Sequence, residues 1–137
     1  MEAIGTVRHA HPRVPRHWSV SDLVGELLID EPYRPGLTDI RPGDRIAVVF
    51  LFHKSPPFNP SLLHQNPPHR DRALGVFSTC SPLRPNPIGL SVLEVLEVRA
   101  EEGVLSVRGI DMLDTTPILD IKPYVSSEGD CPSRENR

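Results

Sequence analysis

The sequence predicts a mostly-β domain, and three observations support that fold class. Proline makes up 16 of the 137 residues, about 12% against roughly 5% in an average protein. Because proline breaks helix interiors, long helices fit only into the two longer proline-free windows, residues 16–31 and 88–116. The second window is rich in Val, Leu and Ile, which favour strands. Residues 46–52 form an unbroken apolar run, which indicates a strand buried on both faces or the inner strand of a barrel.

The remaining predicted strands are short and separated by turns. Their apolar, β-favouring composition places them at residues 3–8, 73–78, 91–99, 104–110 and 118–121. Residues 100–103 end in glycine and predict the hairpin turn between two of these strands. Residues 20–29 fit either a helix capped by Ser21 or a strand that begins at Gly25.

Two long segments predict irregular loops. Residues 31–44 contain turn residues, and residues 56–72 contain five prolines. Loops longer than about 12–15 residues in a compact domain are usually functional or mobile. Residues 126–137 are polar and predict a flexible tail. We therefore expect one domain over residues 1–125.

Charge and cysteine usage restrict the class of protein. The net charge of −3 does not by itself suggest nucleic-acid binding. Residues 1–90 carry ten Lys and Arg against eight Asp and Glu, net +2, whereas residues 91–137 carry five against ten, net −5. An RNA partner is therefore expected to meet the first part. Two cysteines, no signal-peptide pattern and no apolar run of about 20 residues predict a cytoplasmic protein without disulfides or a membrane span.

The most rigid stretch is Leu-Arg-Pro-Asn-Pro-Ile-Gly-Leu at residues 83–90. Each proline fixes its own φ and holds the preceding residue, Arg84 or Asn86, in extended geometry. Gly89 permits a turn or a close backbone approach that a β-carbon would block. A stretch of this kind loses little entropy on binding, so it is either a stiff connection between strands or the wall of a binding site.

Several chemistries can be weighed at the predicted strand ends, where sites on β scaffolds usually lie. A metal site has two candidate ligand sets: His9, His11 and His17, or Asp111, Asp114 and Asp120 with His53. Neither set has the spacing of an established motif, so we expect no metal. Cys80 beside His53 or His69 is a candidate nucleophile, although buried inert cysteines are commoner. No glycine-rich phosphate loop occurs. What remains is a pocket with acidic, backbone and apolar lining, which suits a cofactor with a cation and a nucleobase.

Two long motifs extend this interpretation. Residues 75–91, GVFSTCSPLRPNPIGLS, closely resemble the signature of the TrmO/YaeB (TsaA-like) family of S-adenosylmethionine-dependent tRNA methyltransferases. Residues 109–124, GIDMLDTTPILDIKPY, resemble that family's second signature. The resemblance covers about residues 3–125. It implies a small closed β-barrel that binds S-adenosylmethionine, works as a homodimer and methylates N6 of threonylcarbamoyladenosine at tRNA position 37.

The resemblance also implies which residues form the site. Positions that match the family's cofactor contacts are Pro15, Arg16, His17, His53, Lys54, Cys80, Leu90, Asp111, Met112, Leu113 and Asp114. Arg84 and Asn86 are the expected substrate contacts, since a guanidinium fork suits phosphate oxygens. His53 and Asp114 are the candidate bases for the proton that leaves the acceptor nitrogen. His53 equally fits a structural histidine, and Asp111 equally fits a turn cap.

Three positions depart from the family pattern, and they motivate an alternative function. Cys80 stands where the family usually has Arg, His17 where Gln is common, and Thr115 where Gly is usual, which makes that turn stiffer. The chain also ends soon after Tyr124, without the extension of longer members that is expected to help hold tRNA. The alternative is a module of the same fold that senses or binds S-adenosylmethionine without methylating tRNA.

Overall fold

The computed structural model describes residues 1–68 and 70–125, and eight strands lie within them. The strands are β1 Gly5–Arg8, β2 Val24–Ile29, β3 Arg45–Leu51, β4 His64–Gln65, β5 Leu74–Gly75, β6 Ile88–Arg99, β7 Val104–Arg108 and β8 Pro117–Pro123. Six of them close into an antiparallel barrel in the order β1-β2-β7-β6-β3-β8, while β4 and β5 form a separate ribbon. The predicted fold class is therefore confirmed.

The long strands β3 and β6 pair along one side of the barrel. They pair over seven positions, from Arg45 opposite Glu94 to Leu51 opposite Ile88. Alternate residues of β3 are buried, with Ile46, Val48 and Phe50 pointing inward. This alternation matches the second of the two interpretations of the apolar run, the inner strand of a barrel.

The barrel interior is filled by aliphatic side chains from every strand. Leu27, Leu93, Leu105 and Ile118 are fully buried at 0% exposure, and Ile110 and Met112 extend the same cluster beyond the strand ends. Burial of each such side chain contributes about 1.5–3 kcal/mol to the hydrophobic driving force. The packed interior gives the loops at the barrel end a rigid base.

The loops between strands are stiffened by five short 3₁₀ helices, Trp18–Val20, Glu31–Leu37, Pro60–Leu63, Val76–Ser78 and Ala100–Glu102. Residues 31–44, predicted as a loop with one possible turn, contain the 3₁₀ helix Glu31–Leu37, because Pro32 and Pro35 fit the fixed φ of a 3₁₀ turn. No helix among the described residues has the length and apolar character needed to span a membrane.

One predicted strand and one predicted loop need correction. The predicted strand at residues 73–78 is only Leu74–Gly75, because Val76–Ser78 turns into a 3₁₀ helix after pairing with β4. The predicted loop at residues 56–72 contains the partner strand and a 3₁₀ turn. For residues 20–29 the strand alternative is correct, since β2 lies between β1 and β7. The predicted flexible tail at residues 126–137 lies outside the described residues.

Candidate functional site

One end of the barrel carries a cavity of about 630 Å³. It lies where β3 ends, β6 begins and the segment before β8 crosses the opening. Its lining consists of Arg16, His17, Trp18, Phe50, Phe52, His53, Lys54, Ser55, Pro56, Thr79, Cys80, Pro82, Arg84, Ile88, Gly89, Leu90, Asp111, Met112, Leu113 and Thr116. Its volume falls within the range of about 300–1,000 Å³ that small-molecule sites occupy.

The rigid stretch identified in the sequence forms one wall and is fastened by its own hydrogen bonds. Nη1 of Arg84 donates to the carbonyl oxygens of Thr79 at 3.0 Å and Ser81 at 3.1 Å. Nε2 of Gln65 donates to the Leu83 carbonyl at 2.6 Å, which ties the ribbon to the same wall. Arg84 therefore holds the loop with part of its fork, and no ion pair to a carboxylate is found for it among the described residues.

The segment at residues 111–116 forms the opposite wall and is held by the first loop. Nε2 of His9 donates to the Met112 carbonyl at 2.8 Å, and the backbone N–H of His9 donates to Oδ1 of Asp114 at 3.0 Å. Nδ1 of His9 accepts from the backbone N–H of His11 at 3.0 Å. The histidines of this loop thus bind backbone groups. No cluster of three or more His, Cys, Asp or Glu residues suited to a metal is present in residues 1–68 and 70–125.

Asp111 is the half-buried carboxylate of the cavity. Burial raises the pKa of Asp111 above its usual value, because desolvation disfavours the charged form. Four interactions oppose that rise: the hydrogen bond from Oγ of Ser91, the charge of His17, the backbone of Trp18 and the backbone of Asp111 itself. A carboxylate in a partly desolvated cavity interacts more strongly with a bound cation than one in water does.

The apolar floor of the cavity depends on Gly89. A β-carbon there would lie 2.8 Å from Cζ of Phe52 and closer still to the ring of Phe50, which faces Gly89 across the β3–β6 pair. The two phenyl rings meet edge to face with centroids 5.1 Å apart. The sequence predicted a close backbone approach at Gly89, and the absence of a β-carbon there lets the two phenyl rings pack against the backbone. The resulting aromatic floor suits a flat, apolar group such as a nucleobase.

His53 lies between the cavity and the turn at residues 113–116. Its Nε2 is 3.3 Å from Oγ1 of Thr115. Thr115 has a φ of +69°, in the left-handed region that a β-branched residue rarely adopts. The stiffer turn expected from the sequence at this position stays a prediction, and the positive φ shows that threonine occupies a conformation that favours glycine.

The strain at Thr115 gives a testable expectation for stability. The left-handed conformation costs an L-residue about 1–2 kcal/mol, and glycine removes that cost while losing about 0.5–1 kcal/mol of chain entropy. We expect Thr115→Gly to raise the free energy of unfolding by about 0.5–1 kcal/mol in urea denaturation. Asp39→Gly is the matched control, because Asp39 has a φ of +78° but aspartate tolerates this region better. A Thr115→Gly variant that is less stable than wild type would contradict the claim that the backbone is strained at Thr115.

The cavity gathers ten of the thirteen residues that the sequence proposed for the site: Arg16, His17, His53, Lys54, Cys80, Arg84, Leu90, Asp111, Met112 and Leu113. Pro15, Asn86 and Asp114 lie outside the lining. Among the lining residues that sequence reasoning missed are Trp18, Phe50, Phe52 and Thr116. Trp18 and Phe52 are sequence neighbours of His17 and His53, which were proposed for the site. This proximity in sequence was the signal that could have identified them as lining residues.

Fold and site together define a class of protein: a small closed β-barrel that holds a cofactor-sized cavity with one acidic, one aromatic and one basic region at one end. Residues 4–130 match the model of the tRNA-methyltransferase O N-terminal domain. The chain belongs to this family.

Individual relatives agree with this assignment. An S-adenosyl-L-methionine-binding protein of Archaeoglobus fulgidus is 44% identical over 117 residues, covering 85% of this chain and 80% of that protein. The mouse tRNA (adenine(37)-N6)-methyltransferase is 35% identical over 123 residues, covering 90% of this chain and 27% of that protein. The crystal structure of TrmO from Pseudomonas aeruginosa superposes with a TM-score of 0.70 at 31% identity, covering 98% of this chain and 60% of that one.

The chain thus spans very different shares of its relatives. It corresponds to most of the archaeal protein, to 60% of the crystallised TrmO chain and to about a quarter of the mouse protein. Another S-adenosyl-L-methionine-binding relative of Archaeoglobus fulgidus, described as probable, is matched over 34% of its length.

Proposed function

We propose that the chain is an S-adenosylmethionine-dependent methyltransferase that methylates N6 of threonylcarbamoyladenosine at position 37 of tRNA. The observation that carries this proposal is the cavity of about 630 Å³, which combines the half-buried carboxylate of Asp111 with an aromatic floor and a basic rim. Membership of the tRNA-methyltransferase O N-terminal domain family and the similarity to the mouse tRNA (adenine(37)-N6)-methyltransferase support the reaction.

The residues of the cavity fit the cofactor group by group. Asp111 offers a negative charge to the cationic end of S-adenosylmethionine, and Lys54 or Arg16 offers a positive charge to its carboxylate. Trp18 and Leu90 provide apolar surface for the adenine ring. When bound, S-adenosylmethionine supplies a methyl group already activated on a positively charged sulfur, so the protein's task is chiefly positioning.

The chain's own residues then orient the acceptor and remove a proton. The N6 nitrogen of threonylcarbamoyladenosine carries the carbamoyl group and one hydrogen, and it must lose that proton at or after methyl transfer. His53 lines the cavity, whereas Asp114 does not. Asp114 instead binds the backbone N–H of His9. Of the two candidate bases, His53 is therefore the one we propose. The fastened loop around Arg84 keeps the acceptor side rigid, which lowers the entropy cost of alignment.

Positive charge near the opening supports an RNA substrate. Arg16, Lys54 and Arg84 line the cavity, and Arg13 and Arg72 are exposed on the same first part of the chain. Such cations neutralise phosphate groups and make binding salt-dependent. We propose that Arg84 and Asn86 face the tRNA, and that the reaction takes place in the cytoplasm, a compartment compatible with the free thiol of Cys80.

Substitutions at Cys80 can distinguish the proposed methyltransferase from the alternative function, a module that binds S-adenosylmethionine without transferring its methyl group. Cys80 is exposed at the cavity edge, at the position where the family pattern has Arg. We expect Cys80→Arg to raise kcat/KM for tRNA methylation about tenfold, because one charge-assisted contact to a phosphate or carboxylate is worth roughly 1.5 kcal/mol.

The matched control for this prediction is Cys80→Ser, which removes the thiol without adding a charge and is expected to leave kcat/KM unchanged. Methylation rates are measured by liquid chromatography and mass spectrometry of nucleosides from tRNA. Cofactor binding by wild type without any methylated nucleoside would favour the alternative. Equal rates for the Arg and Ser variants would show that a cation at this position is not needed.

We also propose that the chain works as a homodimer. Phe77 is 80% exposed, and Leu63 is exposed at the matching end of the β4–β5 ribbon, since His64 pairs with Gly75. Neighbouring exposed apolar side chains at one end of a ribbon are typical of a contact surface. We expect light scattering to give twice the chain mass of 15.3 kDa. We expect Phe77→Ser, but not Val20→Ser at an exposed site elsewhere, to lower that mass toward one chain.

A further inference from the structure

The barrel core contains a polar residue directly beneath the cofactor cavity. Ser91 of β6 is 0% exposed and pairs with Val48 of β3. In the part of the chain that the structure describes, Thr116 is the only other polar residue that is buried. A buried hydroxyl is unfavourable unless it is hydrogen-bonded, so an aliphatic residue would pack better at this position if stability alone mattered.

The hydroxyl of Ser91 has one partner, and that partner belongs to the cavity. Oγ of Ser91 donates a short hydrogen bond to Oδ1 of Asp111, across 20 residues of sequence. Ser91 itself is absent from the cavity lining, whereas Asp111 is part of it. The serine therefore acts on the carboxylate from behind. Fixing one oxygen from below limits rotation of the carboxylate.

We propose that Ser91 is a positioning residue that holds the Asp111 carboxylate in place for the cationic part of S-adenosylmethionine. This inference rests on the proposed function. It goes beyond the residues that line the cavity, because Ser91 touches neither cofactor nor substrate. Its effect passes through Asp111 alone, so a change at Ser91 must alter the properties of that carboxylate.

Charged and titratable groups around Asp111 have to be considered together. Those that share the cavity with it are Arg16 and His17 of the first loop, His53 and Lys54 after β3, and Cys80 and Arg84 of the rigid wall. Ionised Asp111 favours binding of a cation, so affinity is lost as the pH falls through its raised pKa. The Ser91 hydrogen bond opposes that rise. Its removal raises the pKa further, and the acid limb of the affinity profile moves to higher pH.

The test compares Ser91→Ala with Val48→Ala. Both changes remove a side-chain atom or atoms from the same cross-strand pair in the core, but only the first removes the hydrogen bond to Asp111. S-adenosylmethionine affinity is measured by calorimetry between pH 4 and 8 on the full chain, and the Asp111 carboxyl is followed by ¹³C NMR in the ligand-free protein. At a pH within the acid limb, we expect Ser91→Ala to bind about tenfold more weakly. Val48→Ala keeps the limb at its wild-type position.

The two readouts separate this inference from the proposed function. If wild type binds the cofactor and the Asp111 titration and the acid limb both move in Ser91→Ala, the positioning role stands. If wild type binds but neither moves, or Val48→Ala moves them equally, the positioning role is overturned while the proposed function survives. If wild type shows no heat of binding at any pH, the proposed function fails and the role proposed for Ser91 fails with it.

Discussion

Replacement of Asp111 by asparagine is expected to weaken S-adenosylmethionine binding about 10- to 100-fold at pH 7, as measured by calorimetry. The variant keeps the shape and the acceptor oxygen of the side chain but loses the negative charge that faces the cavity. Loss of a hydrogen bond or contact that involves a charged group costs about 1.5–3 kcal/mol, which corresponds to this range of affinity.

Stability is expected to change in the opposite direction. Burial raises the pKa of Asp111 in the folded protein above its unfolded value, so the ionised form is less favourable in the folded state. At a pH above that raised pKa, the carboxylate therefore lowers the free energy of unfolding, and neutral asparagine removes this penalty. We expect Asp111→Asn to be at least as stable as wild type at pH 7 in urea denaturation.

Asp120→Asn provides the control for Asp111→Asn. Asp120 forms an ion pair with Lys122 at 2.7 Å and lies outside the cofactor cavity. Its neutralisation is expected to leave the affinity for S-adenosylmethionine at the wild-type value. Equal losses of affinity in the two variants would indicate a general effect of net charge and would contradict a specific role for Asp111.

Gly89→Ala is expected to give the largest combined loss of stability and binding. Its methyl group would overlap the Phe50 ring, which is only 4% exposed, and would approach Phe52 to 2.8 Å. Overpacking of a core costs about 1–3 kcal/mol. Both rings line the cavity, so a shift of the rings that relieves the overlap changes the shape of the cavity. Cofactor affinity is therefore expected to fall even in the molecules that remain folded.

The outcome for Gly89→Ala is measured by thermal unfolding and by calorimetry with S-adenosylmethionine. Gly36→Ala is the matched control, because a β-carbon at Gly36 meets no atom within 4 Å and its φ is not in the left-handed region. We expect Gly36→Ala to lie within about 0.5 kcal/mol of wild type. A Gly89→Ala variant as stable and as tightly binding as Gly36→Ala would contradict the aromatic floor.

Local composition and hydrophobic pattern predicted some strands of the barrel correctly and others not. The strand at residues 46–52 was found because its apolar run is long, and it lies within one residue of the observed Arg45–Leu51. The strand at residues 73–78 was overestimated because the turn at Val76–Ser78 is imposed by the ribbon, a tertiary feature that local propensity does not record. Residues 20–29 were ambiguous because Gly25 interrupts both the helical and the strand pattern. The segment is a strand because it pairs with β1 and β7, which local sequence does not record.

The site was predictable where its residues belong to the two family signatures, and less so elsewhere. Asp111 and Leu90 were placed by the resemblance, and both line the cavity. Ser91, next to Leu90, has no individual signature, because its importance arises from a partner 20 residues away in sequence. Phe50 appeared to be an ordinary core residue, since its proximity to the cavity depends on the cross-strand pairing with Gly89.

The central claim is that this barrel transfers a methyl group from S-adenosylmethionine bound beside Asp111 to a modified adenosine of tRNA. The most direct test incubates the protein with S-adenosylmethionine bearing a deuterated methyl group and with tRNA that contains threonylcarbamoyladenosine, followed by mass spectrometry of the nucleosides. We expect threonylcarbamoyladenosine to gain one deuterated methyl group at N6 with wild type, and much less with Asp111→Asn. Absence of any labelled nucleoside with wild type, or equal labelling by the two proteins, would contradict the claim.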